Sequence, residues 1–391
     1  MNSTIKYPFY IRLSFTLISI LSITYIFYIG KDVFIPVLLA FLFSVLLLPI
    51  VSFLNSKLRF PNALAVSITV LLFVLFILGI LAFISYQISD IASDFEKIGK
   101  NINLFINDIQ RFIRTNFQVS IWEQRKYIED VTENSVKKGK ESIGTTLLTV
   151  TDTLMNITLI PIYTFLILLY RKHFVLFLTK LFRAEFHEKL QSILSQIKSA
   201  VQNYISGLII EMILVSILTS IGLYFIGIQY YILLGIITGI LNLIPYIGIL
   251  IAGFLTFLAS LTGTPDLSII VGVLGVNVVV QIIDNNILVP LIINTKVQIN
   301  AFVSIIGIII GGAIAGISGM FLAIPILAVL KIVFDQIETL EPWGYLMGDN
   351  LPKKIIWENK KDAKYSSKKT NDTGENKLTD DMVFENDIEQ V

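Results

Sequence analysis

Cysteine is absent from the 391 residues, which removes disulfides, thiolate metal sites and cysteine nucleophiles together. Histidine occurs only as His173 and His187. Both fall in one basic stretch, with no carboxylate motif to join them, so no metal site is expected. Charge is scarce as well: 15% of residues are charged, against about 25% in a soluble domain. A net charge of +1, with no basic stripe interleaved with aromatics, argues against a nucleic-acid partner. Missing too are a P-loop, a G-x-S-x-G elbow, an H-E-x-x-H helix and a dinucleotide fingerprint after a strand. ATP-driven transport, enzyme chemistry and a cofactor are therefore not expected.

What fills the chain is grease: 54% of residues are hydrophobic and the mean hydropathy is +0.76. The charge that remains is blocky. Stretches 207–231 and 301–330 have almost none, while 88–146 and 352–391 have plenty. That alternation marks membrane spans separated by aqueous segments, each span needing about 20 apolar residues. The ruler predicts an all-α, polytopic membrane protein with about eight transmembrane helices, near 11–29, 33–54, 62–86, 147–170, 206–227, 229–259, 267–293 and 300–334. Pro36 is expected in the first turn of the second, where its missing donor costs little. The last two segments of unusual length, 229–259 and 300–334, hold Pro245 and Gly248 in one and Gly311, Gly312, Gly316, Gly319 and Pro325 in the other. Each is either one kinked helix or a broken, re-entrant pair of half-helices. Broken helices survive at membrane depth only where they line a cavity or are buried in protein.

The chain divides into N-terminal transmembrane helices (1–87), an aqueous amphipathic insertion (88–146), a transmembrane helix plus a cytoplasmic amphipathic helix (147–205), a C-terminal transport region (206–340) and a tail (341–391) expected to be mostly disordered. In the insertion, Ile88, Ile91, Phe95, Ile98, Ile102, Phe105, Ile109 and Phe112 keep a heptad seam, which must pack on a neighbouring segment or on another subunit. Residues 172–204 form a basic amphipathic stretch of the sort that lies along an anionic membrane surface. The N-terminal stretch runs into the first span without a small-residue cleavage site and is expected to be retained. Short basic loops put both termini in the cytoplasm of a multi-pass cell-membrane protein; Lys137, Lys138 and Lys140, on the expected outer side, run against that bias.

An ionisable group inside a span is the best pointer to function, since an aspartate at mid-bilayer costs about 2.5–3.5 kcal/mol. Asp284 lies among Gln281, Asn285 and Asn286 between apolar runs. Four polar side chains in six positions predict an unwound or cavity-lining turn, opened by Pro290, and suit a small cation, a proton relay or a hydroxylated solute. The plainer alternative is a polar helix end at the membrane edge. A second cluster is Asn242, Pro245, Tyr246 and Gly248, where proline frees an upstream carbonyl and glycine tolerates a sharp turn. Unwound backbone beside polar side chains is how secondary transporters build a midplane site, although a proline–glycine kink also occurs without a ligand. Glu211, in the fifth span, is either a proton carrier or an interfacial group.

On the run Asn242-Leu-Ile-Pro245-Tyr246-Ile-Gly248, then Asp284-Asn-Asn-Ile-Leu-Val-Pro290, then the glycine-rich stretch ending Gly316-Ile-Ser-Gly319-Met-Phe-Leu-Ala-Ile-Pro325, the chain resembles the autoinducer-2 exporter family, a group of permease-like prokaryotic membrane proteins. The order and spacing of all three match, and so does the layout of spans around one insertion. The resemblance implies cytoplasmic ends, a homo-oligomer of the pentameric kind, and export of an autoinducer-2-like signal or exchange of Na+ for H+. It carries Asn242, Pro245, Tyr246, Gly248, Asp284, Asn285 and Pro290 over as site positions; Gly312, Gly316 and Gly319 are hinge or backbone candidates read from the residues themselves. The expected partners are thus the lipid bilayer and a small solute or monovalent cation. Two other classes remain open on the sequence: an oligomeric ion channel or osmotic release pore, and a membrane scaffold that does not transport.

Overall fold

A computed structural model describes residues 8–93, 158–244, 247–261, 263, 267–292 and 298–349, with helical pieces between 100 and 115. Pro245 and Tyr246 lie outside the described residues, as do most of the 88–146 insertion and the tail from 350. The chain runs α1 (Phe9–Ile29), α2 (Lys31–Ser56) and α3 (Asn62–Ser93), then α4 (Thr158–Leu181). There follow α5 (His187–Ile226), α6 (Tyr231–Asn242), α7 (Ile247–Ser260), α8 (Leu267–Ile283), a π turn (Asp284–Leu288), α9 (Val289–Ile292), α10 (Ala301–Gln336) and α11 (Glu341–Met347). Among the described residues every element is helical, and the chain is an all-α polytopic membrane protein. Helices at Lys31–Ser56, Asn62–Gln87, Thr158–Leu181, Ala184–Ile226, Ser268–Ile292 and Ala301–Gln336 are long and apolar enough to cross a bilayer.

A single residue joins the first two helices. The Gly30 N–H donates to the Ile26 carbonyl at 2.8 Å, and the Gly30 carbonyl accepts from Val33 and Phe34. Because α2 starts at Lys31, Pro36 falls in its second turn and not, as expected, in its first. Helix α4 carries on past the predicted end at 170 to Leu181, while the predicted start at 147 lies outside the described residues. The stretch read as one amphipathic helix over 172–204 is divided between the end of α4 and the start of α5. At about 1.5 Å per residue, the 40 residues of α5 span about 60 Å, twice the hydrocarbon thickness of about 30 Å. One stripe of α5 is buried throughout: Tyr204, Leu208, Glu211, Val215, Thr219 and Leu223, at helical steps of three and four.

The two long segments prove to be hairpins. In the first, α6 is 12 residues and α7 is 14, about 18 and 21 Å, too short for either to cross alone. Leu234 of α6 and Ala259 of α7 share one buried cluster with Leu223 and Val273, whereas a straight helix would hold them nearly 40 Å apart. At the bend, a side chain on Gly248 would run into the backbone of Leu241, so only glycine fits there. Helix α6 lies back along α5, with Gly235 and Gly239 seated against Ser220, Ser216 and the Met212 carbonyl.

In the second hairpin the turn is inside α10. Ala315 (φ −139°, ψ 17°) and Gly316 (φ 59°, ψ −141°) leave the helical region, and the Gly316 conformation is one that essentially only glycine adopts. The chain then doubles back. Gly311 packs on the backbone of Gly319, and a Cβ on Gly307 would stand 2.6 Å from the Leu327 side chain, against about 30 Å along a straight helix. Since α8 and its continuation form one crossing between them, the bases of the two hairpins fall on opposite faces of a bilayer. They lie along opposite halves of α5. Leu234 of the first sits against Leu223, and Leu322 of the second sits with Val201, Tyr204, Ile205 and Leu208.

An asparagine clasps each hairpin base. Asn101, in the insertion, donates its amide to the carbonyls of Leu261 (2.8 Å) and Gly263 (2.6 Å). Asn300 donates to those of Leu346 (2.7 Å) and Gly348 (3.1 Å), while its own oxygen caps α10 through the Val303 N–H.

Candidate functional site

The tip of the first hairpin carries the site. Asn242, the last residue of α6, holds two carboxylates from two other helices. Its amide nitrogen donates to Oε1 of Glu211 at 3.0 Å and to Oδ2 of Asp284 at 3.1 Å. Primary amides have two N–H groups, so one asparagine serves both acceptors. The two oxygens therefore lie within about 6 Å of each other. Both acids are buried, Glu211 at 5% exposure and Asp284 at 3%. Oε2 of Glu211 and Oδ1 of Asp284 are also buried, and neither meets a donor among the described residues.

Local sequence explains each placement. Glu211 occupies a core position of the buried α5 stripe, so the acid points at the helices packed on α5 and away from lipid. Asn242 is brought down to that level because α6 descends α5 on its small residues Gly235 and Gly239. Asp284 opens a π turn in which the Val289 N–H reaches back to the Asp284 carbonyl. Pro290 follows at once and has no N–H to give, a fit reason for the wider turn. Such π turns recur at functional sites. The expected unwound stretch is thus a hydrogen-bonded π turn. Leu243, beside Asn242, packs on the cluster that includes Leu322, with Phe321 against it, so the tip of the first hairpin meets the second hairpin near this depth.

Of the sequence candidates, Glu211, Asn242 and Asp284 come together. Gln281, Asn285 and Asn286 do not join them: the Gln281 amide donates to Asn285 Oδ1 at 2.8 Å and the Asn286 amide to the Ile282 carbonyl at 2.8 Å, with Asn285 and Asn286 exposed. Gly248 and Gly316 make the two bends, Gly319 lies in the seam of the second hairpin, and Gly312 packs on Met320. Pro245 and Tyr246 fall outside the described residues. A further, half-buried polar pair escaped the sequence reading. Asn277 of α8 donates to Thr256 Oγ1 at 2.8 Å, tying the returning arm of the hairpin to the helix that carries Asp284. A lone asparagine in an apolar run gave no signal of a partner in another helix. Among the described residues no cluster of three or more His, Cys, Asp or Glu could hold a metal ion.

Two buried negative charges around one amide need a positive partner, supplied either by a proton on one carboxyl or by a small cation between them. Asn242 suits both states, since it offers N–H donors to carboxylates and an oxygen ligand to a cation.

Known proteins resemble the chain over most of its length. A family model described as "AI-2E family transporter" matches residues 17–339. Two proteins of Bacillus subtilis (strain 168) are similar along most of their length. "Putative transport protein YueF" is 26% identical over 323 residues, covering 79% of this chain and 85% of the relative. "Putative transport protein YrrI" is 23% identical over 317 residues, covering 78% and 86%.

Proposed function

As a member of the AI-2E transporter family, the chain is a transporter, and we propose that it is a secondary one whose coupling site is the Glu211–Asn242–Asp284 triad. In this reading the triad exchanges Na+ for H+, or couples one of them to export of a small polar solute such as an autoinducer-2-like signal. The observation that carries it is the double hydrogen bond of Asn242 to two membrane-buried carboxylates. A group so costly to place in hydrocarbon is retained where an ion or proton pathway needs it.

Alternation follows from the same geometry. A proton on one carboxyl leaves Asn242 bridging the pair and the hairpin tip docked on α5. A cation between the carboxylates competes for that position and turns the asparagine oxygen inward. Because the hairpins open from opposite faces, loosening one or the other exposes the triad to one side at a time. In this reading the chain sits in the cell membrane with both ends cytoplasmic. Two hairpins in place of two crossings keep both termini on one face, in line with the basic-loop bias. Assembly into a homo-oligomer would shelter the exposed amides of Asn285 and Asn286.

The test is flux in proteoliposomes, reading 22Na+ uptake against an imposed pH gradient. Asp284→Asn and Glu211→Gln are each expected to lower coupled flux at least tenfold. Wild-type flux in both variants over the whole pH range removes the triad from coupling. Single-channel currents in a planar bilayer would move the assignment to a pore, and loss of cellular phenotype only on removing 88–146 would move it to a scaffold.

A further inference from the structure

A crevice of about 260 Å³ lies between the α1–α2 corner and the second hairpin. Phe27, Phe34 and Leu38 wall one side and Ile310 and Leu322 the other. Its floor is the seam where Gly311 meets Gly319. Lys31 is the one charged residue among those lining it. Apolar cavities of roughly 150 Å³ stay dry and accept hydrocarbon, so a polar solute is not a natural occupant. The outer faces of Phe27, Phe34 and Ile310 are partly exposed (41, 36 and 51%). The crevice therefore opens sideways, where spans face lipid.

Its charged end is at the right depth for a headgroup. Lys31 is the first residue of α2, at the Gly30 corner, and its Nζ stands 5.1 Å from the centroid of the Tyr28 ring. Tyrosine concentrates at the membrane–water interface, and lysine stems reach toward it along apolar surface. Among the described residues no carboxylate pairs with Lys31. Asp32, next in sequence, is exposed and is not part of the lining.

We propose that the crevice holds one acyl chain of an anionic phospholipid, with Lys31 on the phosphate of its head. The volume equals about nine water-sized groups, which suits a stretch of a single chain and not a whole diacyl lipid. A chain seated there rests on both arms of the second hairpin at once and so holds that hairpin in its closed form. This inference stands on the cavity and its cation, independently of the coupling role given to the triad.

Native mass spectrometry of the full-length protein, incubated with equal phosphatidylglycerol and phosphatidylcholine, tests it. The expected result is one retained phosphatidylglycerol per chain. Lys31→Gln lowers the preference about fivefold, the weight of one lysine near an anionic headgroup, and Lys31→Arg keeps it. Ile310→Trp, which fills the crevice, removes the retained lipid whatever its head. Equal retention of both lipids by the wild type, or unchanged retention in Lys31→Gln and Ile310→Trp, overturns the proposal. For a readout that needs no substitution, phosphatidylglycerol with a photoactivatable acyl chain labels α2 and the second hairpin in the native protein. Uniform labelling over all spans is the contrary result.

Discussion

Asn242 divides its amide between Glu211 and Asp284, and no other described residue touches both acids through hydrogen bonds. Removing it leaves two buried carboxylates each short of a donor, and an unsatisfied buried polar group costs about 1–3 kcal/mol. Asn242→Ala is therefore expected to lower the thermal midpoint in detergent by that much stability. The same change made in a Glu211→Gln background should cost less, because the carboxyl that Asn242 served on α5 is already gone. A double-mutant cycle reads the difference, and strict additivity would mean that the three groups do not act together. At this scale the sequence was partly legible. Asp284 and Asn242 stand out as polar residues amid apolar runs, and Glu211 as an acid in a span. Their union was not legible, since 31 and 42 residues separate Asn242 from its partners, and only the doubling back of α6 along α5 and the return of α8 onto α5 close those gaps. Gln281, Asn285 and Asn286 stand apart from the triad for a physical reason. Local density of polar side chains says nothing about direction, and around the π turn they bond within their own helix.

Two glycines decide whether the elements exist as hairpins. Gly316 has φ 59° and ψ −141°, and holding another residue there costs on the order of 1–3 kcal/mol. Gly248 has no room for a Cβ against Leu241. Gly316→Ala is expected to lower stability by roughly that amount and to leave Asn242 in place. Gly248→Ala should instead displace the hairpin tip and abolish coupled flux, though helix content by circular dichroism stays near the wild type. Equal effects of the two on flux would contradict the division of labour between the hairpins. From sequence, a proline or glycine in mid-span announces a break but not its angle. A kink and a reversal use the same residues, and what separates them is packing between arms, such as Gly311 on Gly319 and Leu234 with Ala259. The asparagine clasps at 101 and 300 were equally hidden, because Asn101 reads as one more polar residue of the insertion and an asparagine at a helix start reads as a cap. Asn300 is one, and also binds carbonyls 46 and 48 residues away.

For the whole molecule, the all-helical, membrane-spanning character was legible because hydropathy integrates over some 20 residues. The number of complete crossings was not. Replacing two crossings by two hairpins leaves the termini on the same face, so charge bias alone cannot detect the exchange. The natural absence of cysteine makes the distinction accessible, because each introduced cysteine is the only thiol. Cysteines at the exposed positions 229 and 263 should react with an impermeant maleimide from one side of sealed vesicles, and cysteines at the exposed positions 298 and 337 from the other. If either pair reacts from both sides, that segment is a crossing. The central claim is sharper: one buried triad holds a proton or a cation, and never both. Its most direct test is proton release on adding Na+ to the full-length protein in unbuffered nanodiscs, followed with a pH indicator. The account predicts about one proton released per chain in the wild type, in a site of two carboxylates sharing one amide, and none in Asp284→Asn or Glu211→Gln. Release of the same proton from both variants would place the exchange elsewhere in the protein.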